Sequence, residues 1–279
     1  MKAITLELFG QKFVERFIFY ENFRIFKEMR NDACWIYIQE GTLEVYSPSK
    51  KITVNSMESI LMKCGNYIAN FKNAIQTSQF KSIVFHLYPE SIKKAFGDSE
   101  NSFLKVKKSS AINPALKIKK NDLLDSFVSS IIPYFENQSL VSERLLATKL
   151  QELVLILSDE GKNTIATHIL GTLHSEEQLK FNLIIKANLY NNLSVAELAH
   201  LTYRSESTFK RDFKKYFDIS PAKYFKTKKM EKAANLLMQT DMPIRKIASK
   251  CGFENADHFS TSFTSAYRKS PRTFRSENR

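Results

Sequence analysis

Cysteine is scarce in this 279-residue chain: Cys34, Cys64 and Cys251 stand far apart and form no C-x-x-C pair. That spacing excludes a disulfide framework and a structural zinc site, and it fits a reducing compartment. Glycine is equally thin, with seven residues, and no P-loop, G-x-S-x-G elbow or Gly-rich dinucleotide turn can be built from them. His86, His168, His174, His200 and His258 are scattered without ligand spacing, and the first hundred residues hold one histidine and no H-x-H pair. A metal set and a catalytic constellation are therefore not expected. No apolar run approaches the roughly 18 residues of a membrane span, and the first residues lack a signal-peptide core. These absences predict a cytoplasmic chain that is not an enzyme, carries no cofactor and does not enter a membrane.

What is present is a repeat. Phe209, Phe213, Phe217, Ser220, Pro221 and Tyr224 recur as Phe259, Phe263, Tyr267, Ser270, Pro271 and Phe274. One supersecondary unit is used twice. In the first copy Ser194 can cap a short helix carrying Val195, Leu198, Ala199 and Leu201. After a break at 202–204, Ser205 can cap a second helix that buries Phe209, Phe213 and Phe217 and turns Ser207, Lys210, Arg211 and Lys214 outward. The second copy opens at Asp241-Met242-Pro243, turns at Gly252 and restarts at Asn255, with one more residue in its turn. Its outer stripe, Ala256, Asp257, Ser260 and Thr261, carries no cation. A long helix over 221–239 joins the two. Two short helices with a tight turn and a polar outer stripe describe a helix-turn-helix, here at about 194–217 and 242–267.

Charge follows the same division. The net charge is +13, and residues 176–279 hold 20 Lys/Arg against 11 Asp/Glu. An excess of cations in the segment with the repeat is what phosphate binding requires. Lys210 and Arg211 can donate to guanine edges and Ser207 can adapt to either partner, while Arg204, Lys214, Lys215 and His258 are the candidate phosphate contacts.

The run Leu198-Ala199, Phe209, Lys210-Arg211, Phe213-Lys214, Ser220-Pro221, Tyr224, Leu236-Leu237, Ile247-Ala248, Gly252-Phe253, Phe259, Phe263 and Ser270-Pro271 resembles the DNA-binding domain of the AraC/XylS family of bacterial transcription regulators. The resemblance covers about the last hundred residues. It implies a sequence-specific regulator, more an activator than a repressor, that binds double-stranded DNA in successive major grooves and recruits RNA polymerase. By position it also implies base reading by Ser207, Lys210 and Arg211 in the first unit and by Ala256, Asp257, Ser260 and Thr261 in the second. Asp218 and Arg268 stand where the family usually has glycine, so the two helix ends are expected to be capped differently. A rival reading is a protein-interaction module whose helix-turn-helix domain no longer reads DNA. Another is a ligand-sensing cupin fused to a DNA-binding domain.

The first hundred residues read as short β-branched and aromatic segments: 17–20, 25–27, 35–38, 43–46, 52–54, 60–62, 67–71 and 83–87. Turn residues between them suggest an antiparallel sandwich or small barrel, and the resemblance sharpens this to a cupin-like barrel. Phe17, Phe19, Phe26, Trp35, Tyr37 and Tyr46 are candidates to line an apolar cavity, against the simpler reading of a packed interior. The subgroup of the family that activates type III secretion genes is similar in length, barrel and hairpin; the expected effector at this domain is a small molecule or, as that subgroup implies, a protein.

Residues 105–120, broken by Pro114, read as a linker. A helix over 121–135 follows, then one capped by Ser142 in which Leu146, Leu150, Leu153 and Leu157 form a two-heptad seam. Homodimerisation through that seam is expected, the alternative being a helix packed on the barrel. A turn at 161–163 and a short helix over 165–173 lead on. The expected chain is thus α+β: a cupin-like β-barrel over 1–104, a helical linker and dimerisation region over 105–174, and an all-α DNA-binding domain over 175–279.

Overall fold

The computed structural model describes residues 2–29, 33–63, 65–74, 79–97, 115–159 and 181–278. Most of the linker, the turn at 161–163, the helix at 165–173, the boundary near 175, and Cys64, His168 and His174 lie outside the described residues. The chain divides into two compact units, Met1–Leu179 and Lys180–Arg279.

The first unit holds strands β1 (Lys2–Leu8), β2 (Gln11–Phe19), β3 (Phe23–Met29), β4 (Ala33–Glu40), β5 (Thr42–Tyr46), β6 (Lys51–Asn55), β7 (Ser59–Met62), β8 (Gly65–Lys72), β9 (Phe80–Leu87) and β10 (Ala115–Ile118). Each of the eight expected segments falls in one of them, except that Tyr20 of the first lies just past the end of β2. The strands pair antiparallel into two sheets, β1-β2-β9-β4-β7-β10 and β3-β8-β5-β6, where a single barrel was expected. Two strands and a helix were not anticipated from sequence. β1 pairs along β2 from Lys2 opposite Ile18 to Leu8 opposite Gln11, and helix α1 (Pro89–Phe96) follows β9, burying Ile92 and Phe96. Part of the expected linker is also a strand: β10 pairs with β7, Ala115 opposite Met62 and Ile118 opposite Ser59. Its four residues are too few to show a period, and burial of Ala115 and Ile118 at the sheet edge decides their conformation.

Side chains on a strand alternate between faces, and the six-stranded sheet buries both. On one face Cys34, Ile36, Ile38, Ile60 and Met62 meet the four-stranded sheet through Leu43, Val45, Tyr67 and Ala69. On the other, Trp35, Tyr37, Leu61, Ile83 and Phe85 pack against helices α2 (Asp122–Glu136) and α3 (Glu143–Asp159). β4 therefore reads as an unbroken apolar run, the signature of a strand covered on both sides. Asn121 caps α2 by accepting from the Leu123 backbone N–H at 2.8 Å, and Ser142 caps α3 through the Leu145 N–H at 3.3 Å. Tyr37 donates its hydroxyl to Asp125 Oδ1 at 2.6 Å, tying sheet to helix. Burial and that carboxylate push the phenol far up from its ordinary value.

The leucine seam is corrected by this packing. Leu146, Leu150, Leu153 and Leu157 are 4%, 0%, 0% and 1% exposed within a single chain, in one core with Trp35 and Phe127. The heptad spacing marks the face that α3 turns to the sheet, so the seam is closed to a second copy. Leu145 and Leu155, on the other side of α3, are exposed.

The second unit is helical: α4 (Phe181–Ala187), α5 (Val195–Leu201), α6 (Glu206–Phe217), α7 (Pro221–Gln239), α8 (Ile244–Lys250), α9 (Ala256–Tyr267) and α10 (Pro271–Glu277). Each half of the repeat closes its own core. Phe209 and Phe213 pack with Phe181, Ile185 and Leu198; Phe259 and Phe263 pack with Met230, Ala233, Leu237 and Ile247. α7 spans both, giving Tyr224 and Phe225 to the first core and its later residues to the second.

Candidate nucleic-acid interface

Helices α5 and α6 form the first helix-turn-helix. α5 starts on a capping box: the Glu197 N–H donates to Ser194 Oγ at 3.2 Å and the Ser194 N–H to Glu197 Oε2 at 2.7 Å. Its end turns sharply. Tyr203 takes a positive φ of 58°, and the Arg204 N–H reaches back to the Ala199 carbonyl at 2.9 Å. Ser205 then caps α6 through the Thr208 N–H at 3.3 Å.

The second unit, α8 and α9, repeats this with one residue more. Gly252 has φ 76°, Phe253 N–H bonds the Ala248 carbonyl at 3.0 Å, and Asn255 Oδ1 accepts from Asp257 N–H at 2.7 Å. Glycine is required twice over at this turn, since a Cβ there would also lie 2.7 Å from the Tyr190 carbonyl oxygen.

Burying Phe209 and Phe213 rotates the opposite stripe of α6 into solvent, where Ser207, Lys210, Arg211, Lys214 and Lys215 are all exposed. Among the described residues, Lys210 and Arg211 have loose ionic contacts at 3.8 Å, to Glu206 and Asp212, pairs that hold little energy at a surface. On α9, Asp257, His258 and Thr261 are exposed and Ala256 and Ser260 half-buried. Ser260 and Thr261 turn their hydroxyls onto the carbonyls of Ala256 and Asp257 at 2.8 and 3.0 Å. The two stripes thus present opposite chemistry: cations on α6, and hydroxyls with one carboxylate on α9.

Arg204 does not join the cationic stripe. Its Nε donates to Asp212 Oδ2 at 2.9 Å and its Nη1 to the Thr202 carbonyl at 2.6 Å, with the guanidinium 4.6 Å over the Phe181 ring. It braces the turn onto α6 and α4, which displaces it from the expected phosphate contacts. Asp218 and Arg268 were expected to cap their helices differently from glycine. They adopt the left-handed C-cap that glycine favours, at φ 59° and 58°, with N–H bonds to Lys214 and Thr264.

A model described as the ExsA N-terminal regulatory domain matches residues 33–167. One described as a helix-turn-helix domain matches residues 193–277, the stretch holding both units. The chain belongs to the AraC family. The match over 33–167 fits the subgroup of AraC-family regulators that activate type III secretion genes. Among its relatives, the HTH-type transcriptional regulator ArgR of Pseudomonas aeruginosa is 28% identical over 139 residues, 50% of this chain and 40% of that protein. The regulator GbdR of the same species is 34% identical over 105 residues, 38% of this chain and 28% of that protein. The aligned stretch spans less than half the length of either relative. Among solved structures, an AraC-type regulator from Chromobacterium violaceum is 30% identical, covering 35% of this chain and 88% of its own, with a TM-score of 0.32. ToxT of Vibrio cholerae is 12% identical over 95% of this chain and 98% of its own, with a TM-score of 0.40.

The first unit of this AraC-family chain also holds a cavity of about 240 Å³ between its two sheets. Of the six aromatics expected there, Phe17 and Phe19 line it. Trp35 and Tyr37 point to the opposite face, against α2 and α3, and Phe26 is 54% exposed. Tyr46 is buried away from the cavity, with Arg24 and Lys51 over its ring at 4.9 and 5.1 Å. Sequence reasoning missed the polar members of the lining, Glu15, Lys27, Ser82 and His86, and the thiol of Cys34. Their signal was parity: Cys34 and His86 are Cα partners on neighbouring strands, and Glu15 lies two residues from Phe17 on the same face.

Proposed function

We propose that the protein is a sequence-specific DNA-binding transcription regulator, an activator that works by recruiting RNA polymerase. The observation that carries this reading is the exposed stripe of α6, with Ser207, Lys210, Arg211, Lys214 and Lys215 on a helix held by a braced turn. Lys210 and Arg211 read guanine edges, Ser207 adapts to its partner, and Lys214 and Lys215 fix the register on phosphates. The α9 stripe of Ala256, Asp257, Ser260 and Thr261, with His258 beside it, adds positioning and shape contacts in the next groove. Strands β1 to β9 and α1 make a cupin-like regulatory domain over 1–104, followed by the region over 105–174, which holds β10, α2 and α3, and the DNA-binding domain over 175–279. Its effector is a protein, as in the subgroup that activates type III secretion genes. Homodimers form through the outer face of α3, where Leu145 and Leu155 are exposed, because the inner seam is occupied by the chain's own core.

Selected operator and random duplex, titrated across a salt series with the full chain, test the reading. Arg211→Ala is expected to weaken operator binding by about 1 to 3 kcal/mol and relax one base position. Lys215→Ala is expected to weaken both duplexes and flatten the salt slope by about one. Equal losses on both duplexes for Arg211→Ala would sink base reading. No salt-dependent binding at all would favour a protein-interaction module.

A further inference from the structure

The wall of the cavity between the sheets carries a chain of three ionisable groups with no part in DNA binding. Glu15 on β2, His86 on β9 and Cys34 on β4 sit on adjacent strands and are 7%, 6% and 1% exposed. Glu15 Oε2 lies 2.9 Å from His86 Nε2, and His86 Nδ1 lies 3.5 Å from Cys34 Sγ. Thr5 Oγ1 and Lys12 Nζ donate to the other Glu15 oxygen, each at 3.1 Å. The hydrogen bond from His86 is the main cause that holds the Glu15 carboxyl at about 2, with Lys12 helping and burial opposing. The carboxylate thus fixes the proton on Nε2 and leaves the Nδ1 lone pair facing the thiol. These groups run in a line and do not converge on one point; among the described residues no trio of His, Cys, Asp or Glu could hold a metal ion.

Around this chain the cavity is apolar except for Lys27, with Phe17, Phe19, Phe71, Val45 and Val84 in its lining. A second feature points to an occupant. Ser82, 1% exposed and part of the lining, has a hydroxyl oxygen with no hydrogen-bond partner among the described residues. A buried hydroxyl left unmatched costs free energy that a ligand atom would recover. It lies four residues along β9 from His86, about 13 Å at about 3.3 Å per residue, so the cavity offers polar contacts at two ends of an apolar channel.

We propose that this cavity captures small apolar electrophiles, of the class of α,β-unsaturated aldehydes and ketones, as covalent adducts on Cys34. The thiol proton passes to His86 Nδ1 as Sγ bonds to the β-carbon. The π pair of the carbon–carbon double bond shifts to join the α-carbon to the carbonyl carbon, and the carbonyl π pair moves onto its oxygen, giving an enolate. The imidazolium then returns the proton to the α-carbon, leaving a thioether. Nothing leaves and nothing is oxidised or reduced, so no co-reactant is needed. His86 acts on the reacting atoms as general base; Glu15 is a positioning residue that sets its tautomer. The assignment stands independently of the DNA-binding reading.

The test is competition among the three cysteines of the folded full-length chain. It is treated with limiting trans-2-nonenal or with the small polar electrophile acrylamide, and the adducts are located by peptide mass mapping. Nonenal is expected to label Cys34 ahead of Cys64 and Cys251, and acrylamide to show no preference for Cys34 over Cys64. Cys251, buried in the second core with its thiol pushed up by burial, is the internal unreactive reference. His86→Gln is expected to slow the Cys34 adduct by about a hundredfold at neutral pH, with the deficit closing as the pH rises and the thiol ionises unaided. Cys34→Ser removes the adduct. First labelling by nonenal at Cys64 or Cys251, a preference of acrylamide for Cys34 as strong as that of nonenal, or a wild-type rate in His86→Gln would each overturn the proposal.

Discussion

Arg204 Nε donates to Asp212 Oδ2 at 2.9 Å, linking the turn of the first helix-turn-helix to the middle of the helix that follows. That bond, with the Thr202 carbonyl and the Phe181 ring on the same guanidinium, sets the angle at which α6 is presented. Its hydrogen bond is also the main cause that holds the Asp212 carboxyl below its ordinary value. Arg204→Ala is expected to lower the thermal midpoint of the helical unit and weaken operator binding, while leaving the salt slope of random-duplex binding unchanged. A slope that flattens as it does for Lys215→Ala would return Arg204 to the phosphate contacts.

Asp218 and Arg268 are exposed non-glycine residues in the left-handed region, a conformation that costs an L-residue about 1 to 2 kcal/mol. Glycine removes that cost but adds freedom to the unfolded chain, about 0.5 to 1 kcal/mol. Asp218→Gly and Arg268→Gly are therefore each expected to raise stability by about 0.5 to 1 kcal/mol in urea unfolding. Gly252→Ala runs the other way, combining a positive φ with a contact at 2.7 Å to the Tyr190 carbonyl, and is expected to cost more than about 1 kcal/mol.

Leu150 is 0% exposed in the core shared by the six-stranded sheet and the two helices over it. Leu150→Ala is expected to cost about 2 to 5 kcal/mol of stability and to leave the mass of the folded fraction in light scattering unaltered. Leu145→Glu with Leu155→Glu should do the reverse, dissociating any dimer with little loss of stability. Dissociation by Leu150→Ala in a chain that remains folded would restore the inner seam as the interface.

Acid acts on the sheet unit through Glu15 and through Glu44, which, against burial, its hydrogen bonds to Lys51 and Lys72 likewise hold at about 2. The folded value of Glu15 near 2 lies below the ordinary 4.5, so the unfolded chain binds the extra proton first. The stabilisation is fully present above about 4.5 and is lost as the pH falls toward 2. Glu15→Gln is expected to flatten the pH dependence of the sheet unit's thermal midpoint within that window. An equally steep acid limb in the variant would place the titrating group elsewhere.

The helical unit was legible in the sequence because its cores are local: Phe209 and Phe213, and again Phe259 and Phe263, repeat at helical spacing beside their caps. The sheet unit was legible strand by strand but not face by face. β4 is apolar on both sides, so Ala33 to Ile38 offers no alternation to say that Cys34 and Ile36 meet the cavity while Trp35 and Tyr37 meet the helices. The leucine seam failed for a related reason, since a heptad stripe suits a sheet as well as a second helix. β10 escaped notice because pairing with Ser59–Met62, far away in sequence, gives it its conformation. Arg204 was misread because a cation beside a recognition helix looks the same in sequence whether it faces a phosphate or an aspartate.

The double burial of the six-stranded sheet makes it a party wall between two rooms. On each strand the side chains that line the cavity and those that grip α2 and α3 hang from consecutive Cα atoms: Cys34 beside Trp35, Ile36 beside Tyr37, Val84 beside Phe85. The two sets share one backbone, and the Tyr37–Asp125 bond ties that backbone to α2. One thickness of backbone separates whatever enters the cavity from the helical layer, and no longer route is needed for either side to register the other.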